Sequence, residues 1–561
     1  MSIDDGRRGD GRYRRRGRGG HLRRGGVLPP SRGRHRGAGA LARRAVRPRV
    51  RPVQRRRSVS PVPAPGSPPP LLGRPCNLIR PRDLVGPCPT TARSSQGLDL
   101  DGEVSFGDSD RANHAGDWGT AAADEVTPDA VVYPESTADV AAVLAAADER
   151  RVPVTPFAAG TGLESNATPV HGGVSLDLTR MDAVLDVRPD DFQIDVQPGV
   201  FGAAVDEAVA DHGLFFPPLP SSGDISTVGG MIATDASGMG TVKYGEVGDW
   251  VLALEAVLAD GTVIEPGSRA VKTSSGYNLA DLLVGSEGTL AVVTRATLEL
   301  AGRPEQVHGG RALFDTLDDA AAAVFDAVRS GVDVAKIELI DRTSAGMANA
   351  YSGTDLPDVP MVFLEFHANH GVEAEIDYCR SVLERHGLVE LEVAAHDDGM
   401  AELWQARKDL AFAIESYDPE LSFVSPGDVT VPISAYPAMV RFVKGVADEH
   451  DLLIPCFGHA GDGNLHYTVL VDESDPDEVA AGEAASSRII ERAIELGGTA
   501  TGEHGVGTGK REYLVGEHGE GTVEAMRRVK RAFDPHDTLN PGKLFPETVD
   551  GGRLWVDPPG G

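Results

Sequence analysis

Residues 452–471 are expected to form a strand, a tight turn and a return strand, because apolar runs at 452–457 and 467–471 flank the Gly461-Asp462-Gly463 step. A hairpin of this kind dictates which side chains meet. It brings His459 and His466 to a common point although they lie seven positions apart. Two neutral imidazoles and one carboxylate can hold a divalent transition metal and leave positions open. Glu503, in the second glycine-rich run Gly502-Glu503-His504-Gly505-Val506-Gly507, can supply that carboxylate. Such a donor set accepts zinc, manganese or iron. His504 is a candidate to take a proton from a group the metal polarises. Histidines beside a glycine turn are also common as plain turn and core residues; the second histidine-bearing glycine run argues for a site.

At 561 residues the chain exceeds what one ordinary core fills, so two or more domains are expected. The net charge of -30 conceals a division. Residues 1–98 hold 24 Arg, no Lys and 4 Asp, a net of +20; the remaining 30 basic and 80 acidic residues give -50. A body that acidic and poor in aromatics repels itself, which suits a high-salt cytoplasm where the repulsion is screened. The charge carries no information about substrate. The arginine-rich segment has no periodic apolar pattern and is expected to be disordered. It reads either as a nucleic-acid-binding arm or, in our reading, as translated sequence ahead of a misassigned start, so no nucleic-acid partner is expected for the folded body. Cys76, Cys88, Cys379 and Cys456 form no CxxC pair, which argues against an iron–sulfur cluster and a disulfide framework. No apolar run is long enough to span a membrane, and no signal-peptide core opens the chain, so the expected location is cytoplasmic, with peripheral association at the inner membrane face allowed.

From Val131 the pattern becomes regular. Val131-Val132-Tyr133 reads as a strand, and Ser136 caps a helix with Asp139 in the capping-box position and Val140, Val143 and Leu144 on its apolar face. Residues 152–157 form the next strand and run into Ala158-Ala159-Gly160-Thr161-Gly162, whose glycines let backbone N–H groups approach a phosphate. This is not GxGxxG, and no acidic residue follows at the dinucleotide-fold spacing, which argues against NAD. Three further glycine-rich stretches follow. They are Pro220 to Met231, continuing through Ala236-Ser237-Gly238 and Lys243-Tyr244-Gly245; Lys272-Thr273-Ser274-Ser275-Gly276-Tyr277-Asn278-Leu279; and Gly285-Ser286-Glu287-Gly288-Thr289-Leu290. Strands are expected at 251–258 and 291–300. Four such loops suit a site wrapped round a long ligand with a pyrophosphate and a flat ring.

These motifs resemble a known family. Residues 126–300 are similar to the FAD-binding domain of the vanillyl-alcohol oxidase and p-cresol methylhydroxylase (PCMH) group. The whole of 126–547 resembles its flavin-dependent D-2-hydroxy acid dehydrogenase branch, nearest to the cytochrome-linked D-lactate dehydrogenases and the FAD subunit of glycolate oxidase. Asp428-Val429-Thr430-Val431-Pro432-Ile433-Ser434, the paired-histidine run, residues 501–511 and Leu539-Asn540-Pro541-Gly542-Lys543 carry the likeness. The resemblance implies an α+β fold: a two-subdomain PCMH-type FAD-binding domain over 126–305, an α+β cap domain with an antiparallel sheet over 306–500, and a segment 501–547 returning to the FAD domain.

By the same resemblance, Pro156, Ala158, Ala159, Gly160, Thr161, Gly162 and Leu163 would cradle the FAD pyrophosphate. Pro220, Ser221, Gly223, Asp224, Ser226, Thr227, Gly229, Gly230, Ala236, Ser237, Gly238, Tyr244 and Gly245 would line pyrophosphate and isoalloxazine. Glu287, Gly288 and Val293 would hold the adenosine side, and Asn540 would return to the flavin. The first loop contains no histidine, so FAD is expected to be non-covalent. Arg407, in Trp404-Gln405-Ala406-Arg407-Lys408, matches the arginine that grips the substrate carboxylate; an ordinary solvated helix arginine is the alternative. Where the D-2-hydroxyglutarate enzymes carry a lysine, this chain has Pro426-Gly427, which favours a monocarboxylate such as D-lactate. The implied reaction is oxidation of a small 2-hydroxy acid, with His504 as base, hydride transfer to flavin N5 and onward transfer to a cytochrome, quinone-linked carrier or electron-transfer protein. Glycolate and D-2-hydroxyglutarate dehydrogenases, and the redox-neutral alkyl-glycerone-phosphate synthase, are the alternatives. A homodimer is allowed.

Overall fold

The structure, a computed structural model, describes residues 98–395 and 398–546. All of the arginine-rich segment except Leu98 lies outside this range. Four short strands, β1 (Glu103–Ser105), β2 (Ala130–Tyr133), β3 (Val154–Phe157) and β4 (Val174–Asp177), form a sheet in the order β1-β2-β4-β3. β2 and β3 both run parallel to β4, and the helix Thr137–Arg150 joins β2 to β3. Val140, Val143 and Leu144 on this helix are buried, as the apolar spacing predicts. Ser136 Oγ accepts the Asp139 N–H, but the second half of the expected capping box is absent. The Asp139 carboxylate instead accepts the N–H groups of Asp101, Gly102 and Glu135, binding the β1 approach to the helix start.

A second sheet is antiparallel throughout. Its strands β5 (Val184–Arg188), β6 (Gln193–Val196), β8 (Val251–Val257), β9 (Val263–Ile264) and β10 (Val292–Glu299) take the order β5-β6-β10-β8-β9, while β7 (Leu214–Phe215) pairs with β11 (Ala301–Gly302). Val257 and Val292 from this sheet share one core with the helix Thr137–Arg150 and with Leu539, so that helix is packed between the two sheets. The chain's C-terminal part returns here. Val154 N–H donates to Thr538 O and Asn540 N–H to Val154 O, adding residues 538–540 beside β3.

The largest sheet holds β12 (Gln306–Phe314), β13 (Lys336–Ile340), β14 (Met361–Ala368), β15 (Leu388–Ala395), β16 (Ser422–Thr430), β17 (Cys456–Gly458) and β18 (Asn464–Val471). Their order is β15-β12-β14-β13-β17-β18-β16 and every pair is antiparallel. The α+β expectation is met. Period-two alternation splits this sheet between two cores. Ile337, Leu339, Val362, Leu364, Leu465, Tyr467 and Val429 join the helices Leu317–Arg329, Tyr436–His450 and Pro476–Glu495 on one face. Ile340, Met361, Phe363 and Leu470 pack with Trp404, Leu410 and Ile414 on the other. Residues 338, 365, 428 and 466, one step out of register with the first set, therefore belong to the second face.

The loop around Lys272–Leu279 departs from expectation. Residues 267–278 are exposed, Tyr277 is 95% exposed, and residues 272–279 line no part of the cavity walled by the other glycine stretches. No helix among the described residues is long and apolar enough to cross a membrane.

Glu365 tests the burial of charge on the second face. It is buried, with Lys336 Nζ and His367 Nε2 each 2.8 Å from Oε1. Burial pushes its carboxyl up, but these two partners outweigh burial and hold it down at about 2. Its stabilising contribution is complete above the ordinary carboxyl range and fades as pH falls from there towards the depressed value. The stability gap between the parent chain and Glu365→Gln should narrow by about 1.5 kcal/mol between pH 7 and roughly pH 3.5, read from urea unfolding. An unchanged gap would show the pair carries no such charge coupling.

Candidate active site

The β17–β18 hairpin forms as expected, and its register sets the site. Phe457 pairs with His466, and Asp428 on β16 pairs with His466 from the other side. The turn needs Gly463: its φ is +92° and a Cβ there would collide with Val431 O. His459 follows β17 and lies over the same face. Its Nε2 is 3.2 Å from Glu503 Oε1, and His466 Nε2 is 3.1 Å from the same oxygen. Both imidazoles are buried and their rings meet edge to face at 5.1 Å. These three donor atoms lie within 4.8 Å of one another. Borderline imidazole nitrogens with one carboxylate oxygen are a donor set that fits a divalent transition ion.

Glu338 completes this cluster, and sequence reading missed it. It lies on β13 and is fully buried, with Oε1 2.8 Å from His459 Nδ1. Arg407 Nε–H donates to its Oε2 at 2.7 Å, and Nη2 lies 2.6 Å from the same oxygen. Burial raises the Glu338 pKa, but Arg407 and His459 outweigh it, so the carboxyl titrates below its ordinary range. Holding His459 by Nδ1 directs Nε2 to the Glu503 side, the usual way a second carboxylate orients a metal-binding imidazole. Arg407 is therefore no solvated helix arginine: it is 3% exposed and its guanidinium lies 4.7 Å over the Phe457 ring. The available signal was a lone glutamate among Ile337, Leu339 and Ile340.

Asp428 shapes the second glycine run. Its Oδ2 accepts the N–H groups of Gly502 (2.7 Å), Glu503 (2.8 Å) and His504 (3.0 Å) and the Thr501 hydroxyl (3.0 Å), while Oδ1 accepts Asn464 Nδ2–H at 2.6 Å. Burial raises its pKa, yet the neighbouring His504 and His466 and the backbone N–H groups hold it well below the carboxylate range. Ser237 Oγ donates to Glu503 Oε2 at 3.0 Å. The His504 ring stacks on His466, 5.3 Å apart and 9° from parallel. Glu287 holds the next turn: its oxygens accept Val506 N–H, Gly507 N–H and Asn166 Nδ2–H. Its carboxylate thus serves the protein's own backbone.

One cavity of about 520 Å³ joins these groups to the glycine loops. Residues 156–163, Pro220, Ser221, Asp224, Ser226, Thr227, Gly229, Gly230, Ala236, Ser237, Glu287, Gly288 and Asn540 line it together with Arg407, His459, His466, Glu503 and His504. Ser221 Oγ is buried there without a protein partner, and the lining is mostly apolar, which fits a flat ring system carried on a phosphate chain. Asn540 Nδ2 donates to Asn166 O and Glu287 O, closing the wall from the C-terminal side.

Five expected cofactor residues lie off this cavity. Tyr244 turns its hydroxyl to His367 Nδ1, 2.8 Å away, and Gly245 ends its helix at φ +77°. Gly223 packs its carbonyl on Ala203 N–H, Gly238 sits against Leu219 O, and Val293 pairs with Ala256 inside the second sheet. Each serves loop or sheet packing. Trp118 and Phe412, neither of them anticipated, stack at 5.0 Å and both line the cavity.

Family models match twice: a FAD binding domain over residues 128–267, and the C-terminal domain of FAD linked oxidases over 303–544. A "Probable D-lactate dehydrogenase, mitochondrial" of Danio rerio is 36% identical over 422 residues, covering 74% of this chain and 84% of its own. A "Glycolate oxidase subunit GlcD" of Bacillus subtilis is 35% identical over 451 residues, covering 80% and 95%. The solved structure of p-cresol methylhydroxylase superposes with a TM-score of 0.65 at 16% identity, covering 79% of this chain and 93% of that one, a likeness of fold.

Replacing Asp428 by alanine should release the 501–504 turn. Amide exchange at Gly502, Glu503 and His504 should accelerate at least tenfold, with a stability loss of about 3 kcal/mol. Exchange unchanged at these three amides would show that the turn holds itself.

Proposed function

Because the chain belongs to the family of FAD-linked oxidases, we propose that it oxidises a D-2-hydroxy acid, D-lactate foremost, to the 2-oxo acid. One observation carries the reading: the glycine loops and the His459, His466 and Glu503 cluster, with Arg407 and His504, wall the same cavity. Bound there, non-covalent FAD would accept two electrons from the substrate carbon, and a zinc, manganese or iron ion on the three donors would acidify the substrate hydroxyl.

The chain's own residues would do the rest. Arg407 commits its Nε–H to Glu338 and keeps further guanidinium donors for the substrate carboxylate. His504 would take the hydroxyl proton at Nε2; burial lowers its pKa, so the ring is neutral and able to accept. Pro426 and Gly427 line the cavity beside His466, and a Cβ at Gly427 would strike Tyr467 O, so this wall presents no cation for a second carboxylate. Ile414, Phe423 and Phe457 line the cavity as well and suit the methyl of lactate better than the hydrogen of glycolate. Glycolate is the second reading, favoured by the Bacillus relative. The electrons would pass to a cytochrome, quinone-linked carrier or electron-transfer protein, since the sequence has no haem-attachment CxxCH.

An anaerobic visible spectrum of the FAD-loaded protein at high salt tests this. D-lactate should bleach the flavin and L-lactate should not. Faster bleaching by glycolate would move the substrate, and no bleaching by any 2-hydroxy acid would sink the reaction class. Chelation should slow the reduction at least tenfold, with recovery on adding one of the three ions. His504→Asn should slow it roughly 10²–10⁴-fold at unchanged FAD content.

A further inference from the structure

His504 has a second side, and what faces it is a built arrangement. Leu163 lines the cavity, but Glu164, the next residue, does not. Its side chain lies behind His504, 3% exposed, and Lys510 beside it is 2% exposed. Lys510 Nζ is 3.7 Å from Glu164 Oε1, and His504 Nδ1 is 3.9 Å from the same oxygen. All three atoms are buried without a hydrogen-bond partner in the protein. Leaving a carboxylate, an ammonium and an imidazole nitrogen unbonded in the interior is costly, and native proteins rarely do so without a use. The C-terminal turn is fitted closely to this residue: Thr508 N–H donates to Glu164 O at 2.9 Å, and a Cβ at Gly507 would strike the same carbonyl.

Asp428 cannot serve Nδ1 in its place. Its Oδ2 lies 3.9 Å from Nδ1 but already accepts four donors. Stacking on His466 fixes the plane of the His504 ring and leaves its rotation within that plane unspecified. The gaps of 3.7 and 3.9 Å at Glu164 Oε1 are too long for direct hydrogen bonds and somewhat shorter than the roughly 4.5 Å that a bridging water spans. A small outward shift of the three groups admits one, and buried waters commonly have about three polar partners.

We propose that Glu164 is a positioning residue for His504: with Lys510 it binds one water that holds the Nδ1 side of the imidazole and so presents Nε2 to the cavity. The proposal rests on the reading of His504 as the residue that meets the substrate hydroxyl. The Glu164 side chain does not line the cavity and would act through the ring. Burial pushes the Glu164 carboxyl up to about 8 in spite of Lys510, so what the turn keeps in the interior is a carboxyl group and not a full negative charge.

The decisive variant is Glu164→Leu combined with Lys510→Met in the full-length, FAD-loaded protein, which removes both polar groups together. Flavin reduction by the active 2-hydroxy acid should slow 10- to 100-fold, roughly the penalty of a misoriented catalytic group. FAD content and the affinity for the 2-oxo acid product should stay within about threefold of the parent values and the melting temperature within about 5 °C, while Glu164→Gln, which keeps an acceptor, should restore most of the rate. A reduction rate within twofold of the parent overturns the inference, as does a loss that merely tracks FAD content. His504→Asn separates the two readings. Slow reduction there with normal reduction in the double variant fails Glu164 alone; normal reduction in His504→Asn fails the base assignment itself. If the double variant does not fold, a crystal structure of the parent chain decides. One water within hydrogen-bond distance of Glu164 Oε1, Lys510 Nζ and His504 Nδ1 supports the proposal, and direct contacts among the three overturn it.

Discussion

A carboxylate shut away from water must find every partner within the protein, and Asp428 finds five. Three successive backbone N–H groups can reach one oxygen only if residues 502–504 curl around it. The directions of Glu503 and His504 follow from that curl. Glu287 repeats the arrangement two residues further on, taking the N–H groups of Val506 and Gly507. The loop that carries the third metal-type donor is thus suspended between two buried acids, one on the large sheet and one in the glycine loop at 285–290 that lines the cavity. Charge-assisted hydrogen bonds of this kind contribute about 1.5–3 kcal/mol each, against a desolvation cost of several kcal/mol for the buried ion. Besides stability, the acids supply shape, because each N–H must point at the oxygen it serves.

Glu338 applies the same physics to the histidine side. Between Arg407 and His459 it is the anion of a three-member buried network, and the Arg407 guanidinium could not stay in the interior without it. The network links a sheet strand, a helix and the hairpin turn, so His459 cannot shift without disturbing all three. Local alternation produces this placement. Residues 338, 428 and 466 lie on the cavity side of the sheet because their neighbours at 337, 339, 429, 465 and 467 fill the opposite core, and of the three His466 lines the cavity itself.

Much of the site was legible in the chain. The hairpin, the glycine loops after strands and the two histidine-bearing runs are short-range patterns, and most of the loops they mark line the cavity. Tyr244, Gly245, Gly223, Gly238 and Val293, which the resemblance assigns to the flavin, lie off the cavity, because a motif match reports a residue's identity and not what it faces. The Lys272–Leu279 loop shares the glycine-loop composition and projects into solvent. Glu338 escaped notice because one acid in an apolar strand has no local partner to explain it; its partners lie 69 and 121 residues away.

The sequence by itself determined the elements and their chemistry: period-two strands, capped helices, glycine turns and the donor types gathered near 459, 466 and 503. Those depend on interactions over a few residues, which composition and spacing record directly. Only the tertiary structure decided which acid meets which base. The order β13-β17-β18-β16 sets Glu338 beside His459 and Asp428 beneath residues 502–504, and the return of residues 538–540 to β3 brings Asn540 against Glu287. Such pairings depend on how sheets are threaded and packed over hundreds of residues, and no local pattern encodes that order.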